Sequence, residues 1–227
     1  MSLADRILYI DAEAIVIDKP AGLPVDPPRA GGDSVTLRAG ELKCGFQREP
    51  VAMHRLDRDT SGCLLLARHP KARAKIQRAF ESGTVEKTYL AALDGVPEGD
   101  DGVIDLPLAK FSTAGTGWRM VPDEAGKHAR TRWRKLAEKD GQSLVEFTPL
   151  TGRTHQIRVH AARGLGAAVI GDPVYGGGEG PASTGSGQAM LLHAWRLVVP
   201  RQGKPAIDVT ATVPDSFGLW LDFLDVA

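Results

Sequence analysis

The sequence predicts an α+β fold, and three observations carry that expectation. Two short β-branched clusters near the start are parted by an acidic turn, and Cys63-Leu-Leu-Leu-Ala67 is apolar without alternation. The strand-like segments also fail to alternate strictly with helical ones. A doubly wound parallel sheet needs a crossover helix between successive strands, so that class is disfavoured. At 227 residues the chain can bury one sizeable core, and 1–227 is read as a single domain without a separate appended module.

Ile7 to Lys19 reads as a hairpin, and the proline-rich stretch Pro20 to Pro28 forbids regular structure. Val35 to Phe46 has the look of a short helix, whereas Val51 to Arg58 has no clean period. Gly62 opens the apolar run through Ala67, the pattern of a strand buried on both faces and therefore central. Pro70 then starts an amphipathic helix. Ala72, Ile76, Ala79 and Phe80 form its apolar side, Lys71, Lys75 and Arg78 its basic side, and Gly83 closes it. Glu86 to Leu93 and Ser143 to Phe147 read as strands, with Val103–Leu106, Thr131–Leu136 and Arg196–Val199 as weaker ones. Thr154 to Arg163 has helical spacing, and Leu197 to Val213 suggests a last hairpin turning at Arg201 to Pro205. Gly176 to Gly187 reads as a Gly/Ser-rich flexible loop.

Composition narrows the function classes. Cys44 and Cys63 are too few for a disulfide framework and match no zinc spacing, so a reducing cytoplasmic setting is expected. No export signal or membrane span is legible, since a span needs ~20 mostly apolar residues. The 28 basic and 28 acidic residues cancel, yet they are unevenly placed. Residues 51–90 hold 8 basic and 4 acidic side chains, 91–117 hold 1 and 5, and 118–165 hold 10 and 5. Two basic stretches that met in space would make a positive face on a neutral protein.

The densest polar cluster is His54-Arg55-Leu56-Asp57-Arg58-Asp59-Thr60-Ser61-Gly62. A calcium loop begins well there and fails at its twelfth position, where Arg68 replaces the bidentate Glu. A magnesium-dependent phosphatase would place its first Asp at the end of an apolar strand, whereas here the apolar strand follows. A plain turn accounts for Asp59 to Gly62, with glycine supplying a positive φ. It does not account for two arginines and a histidine around Asp57. In Thr151 to His160, the five-residue separation of His155 and His160 defeats a zinc reading, and Arg153 and Arg158 cannot share a helix face. An Arg turned inward needs a carboxylate. Lys87-Thr88-Tyr89 lies in a strand, where a Tyr is ordinarily core. Gly176 to Gly178 lacks the Gly-Lys-Ser/Thr of a phosphate-binding loop, so nucleotide hydrolysis has no support.

Taken together, His54 to Gly62, Lys87 to Tyr89 and Gly152-Arg-Thr-His-Gln-Ile-Arg-Val-His160 resemble the motifs of the RluA-type pseudouridine synthases. The likeness extends from Val16 to Leu23, through Gly171-Asp-Pro-Val-Tyr-Gly176, to Leu191 to Ala194. It implies a mixed, largely antiparallel sheet with flanking helices. It also implies isomerisation of a uridine within tRNA or rRNA, with no cofactor and no metal. By the same resemblance Asp57 is the catalytic carboxylate and Arg158 its basic partner. Tyr89 is the ring that stacks on uracil and the candidate to remove the C5 proton. Arg55 enters the RNA in place of the flipped base, His54 belongs to the substrate-binding set, and Ile157 and Leu192 wall the pocket or are plain core. Asp59 is expected to face solvent. The implied partner is a structured RNA, not DNA and not a membrane, and the protein is expected to be a monomer. A non-catalytic RNA-binding protein of the same fold is the rival; loss of Asp57, Tyr89 or Arg158 would mark it, and all three are present.

Overall fold

The computed structural model describes residues 1–113, 117–176 and 189–224. Its strands and helices, in chain order, are β1 (Ile7–Ile10), β2 (Ala14–Lys19), β3 (Val51–Ala52), β4 (Ser61–Ala67), α1 (Pro70–Glu81), β5 (Glu86–Asp94), β6 (Asp101–Asp105), β7 (Leu108–Thr113), β8 (Gly117–Pro122), β9 (Arg130–Lys139), β10 (Gln142–Pro149), α2 (Gln156–Val159), β11 (Ala168–Val169), β12 (Leu192–Val199) and β13 (Ile207–Thr210). A π-helical turn, His160–Gly164, continues α2, and a 3-10 segment, Asp215–Phe223, follows β13. The chain gathers into two compact units: Met1–Lys87 with His193–Val213, and Thr88–Leu192 with the residues after Val213. Apart from Gly176, the Gly/Ser-rich stretch lies outside the described residues.

In the first unit the expected hairpin is β1–β2, turned by Asp11. Its Oδ1 accepts hydrogen bonds from the Glu13 and Ala14 amides at 2.7 and 2.8 Å. β4 lies between antiparallel β2 and parallel β12, with every residue from Ser61 to Ala67 buried. Double coverage is why its sequence is apolar without alternation. Cys63, Leu65 and Ala67 pack with Ile76 of α1 and with Leu197, Val199, Ile207 and Val209 of the closing β12–β13 hairpin. Gly62 has φ +103°, and a Cβ there would overlap the Ala194 carbonyl, so the close approach of β12 demands glycine. At the start of α1 the His69 Nδ1 accepts from the Ala72 amide at 3.1 Å beside Pro70, and Gly83 (φ +69°) lies just past its end.

The second unit is built on antiparallel β5, β10, β9 and β6 in that order, with β11 on β5. Leu90 to Leu93 are fully buried, as are Leu144, Val145 and Phe147. The strands are mixed in direction, mostly antiparallel, with few helices, which is the expected α+β class. Two elements were not legible. The antiparallel ribbon β7–β8 carries polar and cationic residues without strict alternation, and the Asp215–Phe223 segment bends at Gly218 while burying Phe217 and Trp220.

Candidate active site

In the first unit, Asp57 sits half-buried on the loop that enters β4. The Thr60 amide donates to the Asp57 carbonyl at 3.2 Å, closing a turn. The next carbonyl, that of Arg58, is held twice: by the Lys19 Nζ at 3.0 Å and by the Gly22 amide at 2.9 Å. Lys19 is wholly buried, and its Nζ also donates to the carbonyls of Pro20 and Leu23, each at 2.8 Å. One ammonium therefore gathers the proline-rich loop and the Asp57 loop around a single point. Burial pushes its pKa down to about 8, against the pull of the Asp59, Asp57 and Asp18 carboxylates. Lys19 lay inside the motif that carried the resemblance, yet its position at the end of an apolar strand gave no sign of this role.

The other polar residues of the loop divide in function. The His54 Nε2 accepts from the Leu65 amide at 3.1 Å, and its ring packs on Phe80 at 5.5 Å. Burial and the nearby Lys87 charge lower its pKa to about 3, so it stays neutral and ties the loop to β4. Arg55 is highly exposed and lies 3.5 Å from Asp26. Asp59, expected to face solvent, is partly buried, with Arg58 Nε 3.0 Å from its carboxylate. Deeper in, the Ser61 hydroxyl meets the His193 Nδ1 at 2.8 Å.

In the second unit, Tyr89 lies on β5 opposite Phe147 of β10 and is 9% exposed. Ile157 and Leu192 are buried. Arg158 turns inward on α2, while Arg153 stays outside and donates to the His128 carbonyl at 2.9 Å, so the two do not share a face, as their spacing requires. The inward Arg holds a carboxylate to which the sequence reading gave no role. Its Nε and Nη2 both donate to Asp172 at 2.7 Å. Burial opposes the charge on Asp172, but Arg158 and the Val174 and Tyr175 amides outweigh it and keep the carboxyl below its ordinary range. The Tyr175 ring lies 5.1 Å from the Arg158 guanidinium.

The remaining residues of the Gly152–His160 motif build the support for α2. Gln156 is buried with its amide fully engaged. Its oxygen accepts from the Thr151 hydroxyl (2.7 Å) and the Arg153 amide (2.9 Å), and its nitrogen donates to the Arg130 carbonyl and Thr131 Oγ1, both at 2.9 Å. Thr131 in turn meets His160 Nδ1 at 2.9 Å, and His160 Nε2 reaches the Leu106 carbonyl at 3.1 Å. This chain of bonds pins α2 to β9. His155 adopts a left-handed backbone (φ +53°) at the start of α2, stacks on Trp118 at 5.1 Å and reaches the Tyr175 hydroxyl at 2.9 Å.

Part of the basic charge of the second unit is paired across its strands. Pairing of β6 with β9 sets the acidic segment beside the basic one, Asp105 opposite Arg130 and Asp101 opposite Arg134. Arg130 meets Asp105 at 3.1 Å, Arg134 meets Glu146 at 3.4 Å, and Lys135 meets Asp100 at 3.2 Å. Three of the ten basic residues of 118–165 are thus matched by nearby acids.

Residues 13–163 match the family model described as RNA pseudouridylate synthase. The chain belongs to that family, in its RluA-type branch. It is 52% identical over 215 residues to an uncharacterised RNA pseudouridine synthase of Zymomonas mobilis, covering 95% of this synthase and 96% of that relative. It is also 32% identical over 235 residues to the ribosomal large subunit pseudouridine synthase D of the same organism, covering 98% of this chain and 73% of that one. The solved structure of human RNA pseudouridylate synthase domain containing 4 superposes with a TM-score of 0.78 at 27% identity, over 98% of the synthase and 94% of that chain. The enzyme is therefore an isomerase of the pseudouridine-forming class. Among the described residues no helix is long and apolar enough to cross a membrane.

Proposed function

We propose that this synthase converts specific uridines of transfer or ribosomal RNA to pseudouridine, with Asp57 as the catalytic carboxylate. The reading rests on one observation above the others: the family match contains the His54–Gly62 motif, and its carboxylate rides on a loop clamped by Lys19 and Gly22. Preorganisation of that kind is what a catalytic group requires. Ribosomal RNA is the first candidate, because relatives named for the ribosomal large subunit align along 85–98% of the chain.

In the proposed reaction the C1′–N1 bond breaks, the uracil turns, and C5 bonds to C1′. C5 then loses its proton and N1 gains one, so no oxidant and no net proton are consumed. The target uridine is flipped out of the RNA at a cost of a few kcal/mol. Asp57 acts as a carboxylate, either attacking C1′ or removing the C2′ proton, and Arg158 is its basic counterpart in the reaction. Tyr89 stacks on the base and takes the C5 proton. Arg55 occupies the vacated place in the RNA, while His54, Ile157 and Leu192 shape the surroundings.

The test is to map pseudouridines in total RNA from cells with and without the gene, adding back wild type or Asp57→Asn. A few sites should vanish and return with wild type alone. Sites that return equally with Asp57→Asn would remove Asp57 from the chemistry, and an unchanged map would favour an RNA-binding protein without catalysis.

A further inference from the structure

The positive charge left unmatched within the first unit is concentrated on α1. Of the basic residues of 51–90, Arg68 is buried on the carbonyls of Asp11, Lys43 and Cys44, and Arg58 lies on Asp59. Lys71, Arg73 and Arg78 are exposed on α1 and have no acidic partner among the described residues. At 100° per residue, Lys71, Lys75 and Arg78 share one stripe about 10 Å long, flanked by the buried Ala72 and Ile76. Beside that stripe opens a cleft of about 330 Å³. Ala72, Ile76, Val199 and Pro200 contribute its apolar lining, and Lys75, Arg78, Arg201 and Gln202 its polar lining, with Glu13 as the one acid. Glu13 is itself engaged by Lys75 at 3.1 Å and Lys204 at 3.3 Å, so its charge is more than matched.

We propose that the Lys71–Lys75–Arg78 stripe of α1 and the adjoining cleft are a second RNA-binding surface, which takes the phosphodiester backbone of single-stranded substrate RNA. This rests on the family's RNA substrate and not on any catalytic role assigned above. Charge complementarity selects the occupant: a row of exposed cations in which Lys71 and Arg78 carry no acidic partner among the described residues suits a repeating anion, and the apolar strip beside it can lie under a sugar or base. On a chain of zero net charge, with Arg130 and Arg134 of β9 matched by acids, such a patch supplies salt-dependent contacts for holding RNA.

The test compares wild type, Lys71→Ala/Arg78→Ala and Arg134→Ala for binding of a labelled 20-nucleotide oligouridylate between 50 and 300 mM salt. Both α1 positions are exposed, and Lys75 is left in place because it holds Glu13. The double variant should bind roughly tenfold more weakly, with a salt slope shallower by about 1.4, or 0.7 for each lost phosphate contact. Arg134→Ala should keep the wild-type slope. A double variant with wild-type affinity and slope overturns the proposal, as does loss of binding to phosphatidylserine vesicles with RNA binding intact, which would assign the stripe to lipid. Failure of the pseudouridine map above leaves this result standing, and the two outcomes are read separately.

Discussion

Arg158 and Asp172 are locked together by two 2.7 Å hydrogen bonds, with 6% and 0% of their side chains exposed. The same carboxylate accepts from the Val174 amide at 2.8 Å and the Tyr175 amide at 3.1 Å. Asp172 thus sets both the inward orientation of Arg158 and the turn that brings Tyr175 over its guanidinium.

Removing one member of such a pair strands the other charge in a dry environment. Asp172→Ala should cost about 3–5 kcal/mol at neutral pH, measured by urea unfolding. Because the Asp172 pKa is depressed in the folded state, its contribution is complete above the unfolded value of 3.8 and fades as pH falls through the lower folded value. The gap between wild type and Asp172→Ala should therefore narrow below pH 4; a gap that stays constant down to pH 2.5 would contradict the pairing.

Lys19 gathers three carbonyls, and among the described residues those of Pro20 and Leu23 accept from no other donor. Lys19→Met should lower stability by about 2–4 kcal/mol, since buried acceptors lose their donor. The effect on turnover should be smaller, less than tenfold, because the Arg58 carbonyl keeps the Gly22 amide. Unfolding curves and tritium release from 5-tritiated uridine RNA separate the two; a large turnover defect at full stability would give Lys19 a direct part in the chemistry.

Three histidines are held neutral by burial. The pKa of His54 falls to about 3 and that of His193 to about 4, and His160 is lowered as well. Unfolded, each takes up a proton near 6.5, so unfolding binds more protons and stability falls as pH drops below that value. His54 and His193 should each contribute about 1.4 kcal/mol per pH unit between roughly pH 6 and 4.5, and His160 adds in the same direction. His193→Gln should remove one proton from that slope in urea titrations at pH 6, 5.5 and 5, and an unaltered slope would show that His193 charges in the folded state.

Gly62 meets two constraints at once, a positive φ and the Ala194 carbonyl where a Cβ would lie. Gly62→Ala should destabilise by more than about 3 kcal/mol, through strain and displacement of β12. Thermal unfolding reads this directly. Gly83→Ala, with open space around its Cβ, should cost much less; equal losses would mean that φ alone decides at both glycines.

The sequence by itself determined what short-range chemistry encodes. The Asp11 turn, the unalternating run of β4, the proline start of α1 and the motif around Asp57 are each written within about ten residues, where periodicity and turn preferences act. Helical geometry likewise required that Arg153 and Arg158 point to different sides, and an inward one needs a carboxylate. Tertiary structure alone decided which partner was found in the second unit. Asp172 reaches Arg158 from fourteen positions away along the chain, and Lys19 reaches the Arg58 carbonyl from thirty-nine. The acids of β6 reach the arginines of β9 only because those strands pair in one register. Composition records that charges exist, but electrostatic energy depends on their separation and burial, and only the folded chain sets those distances.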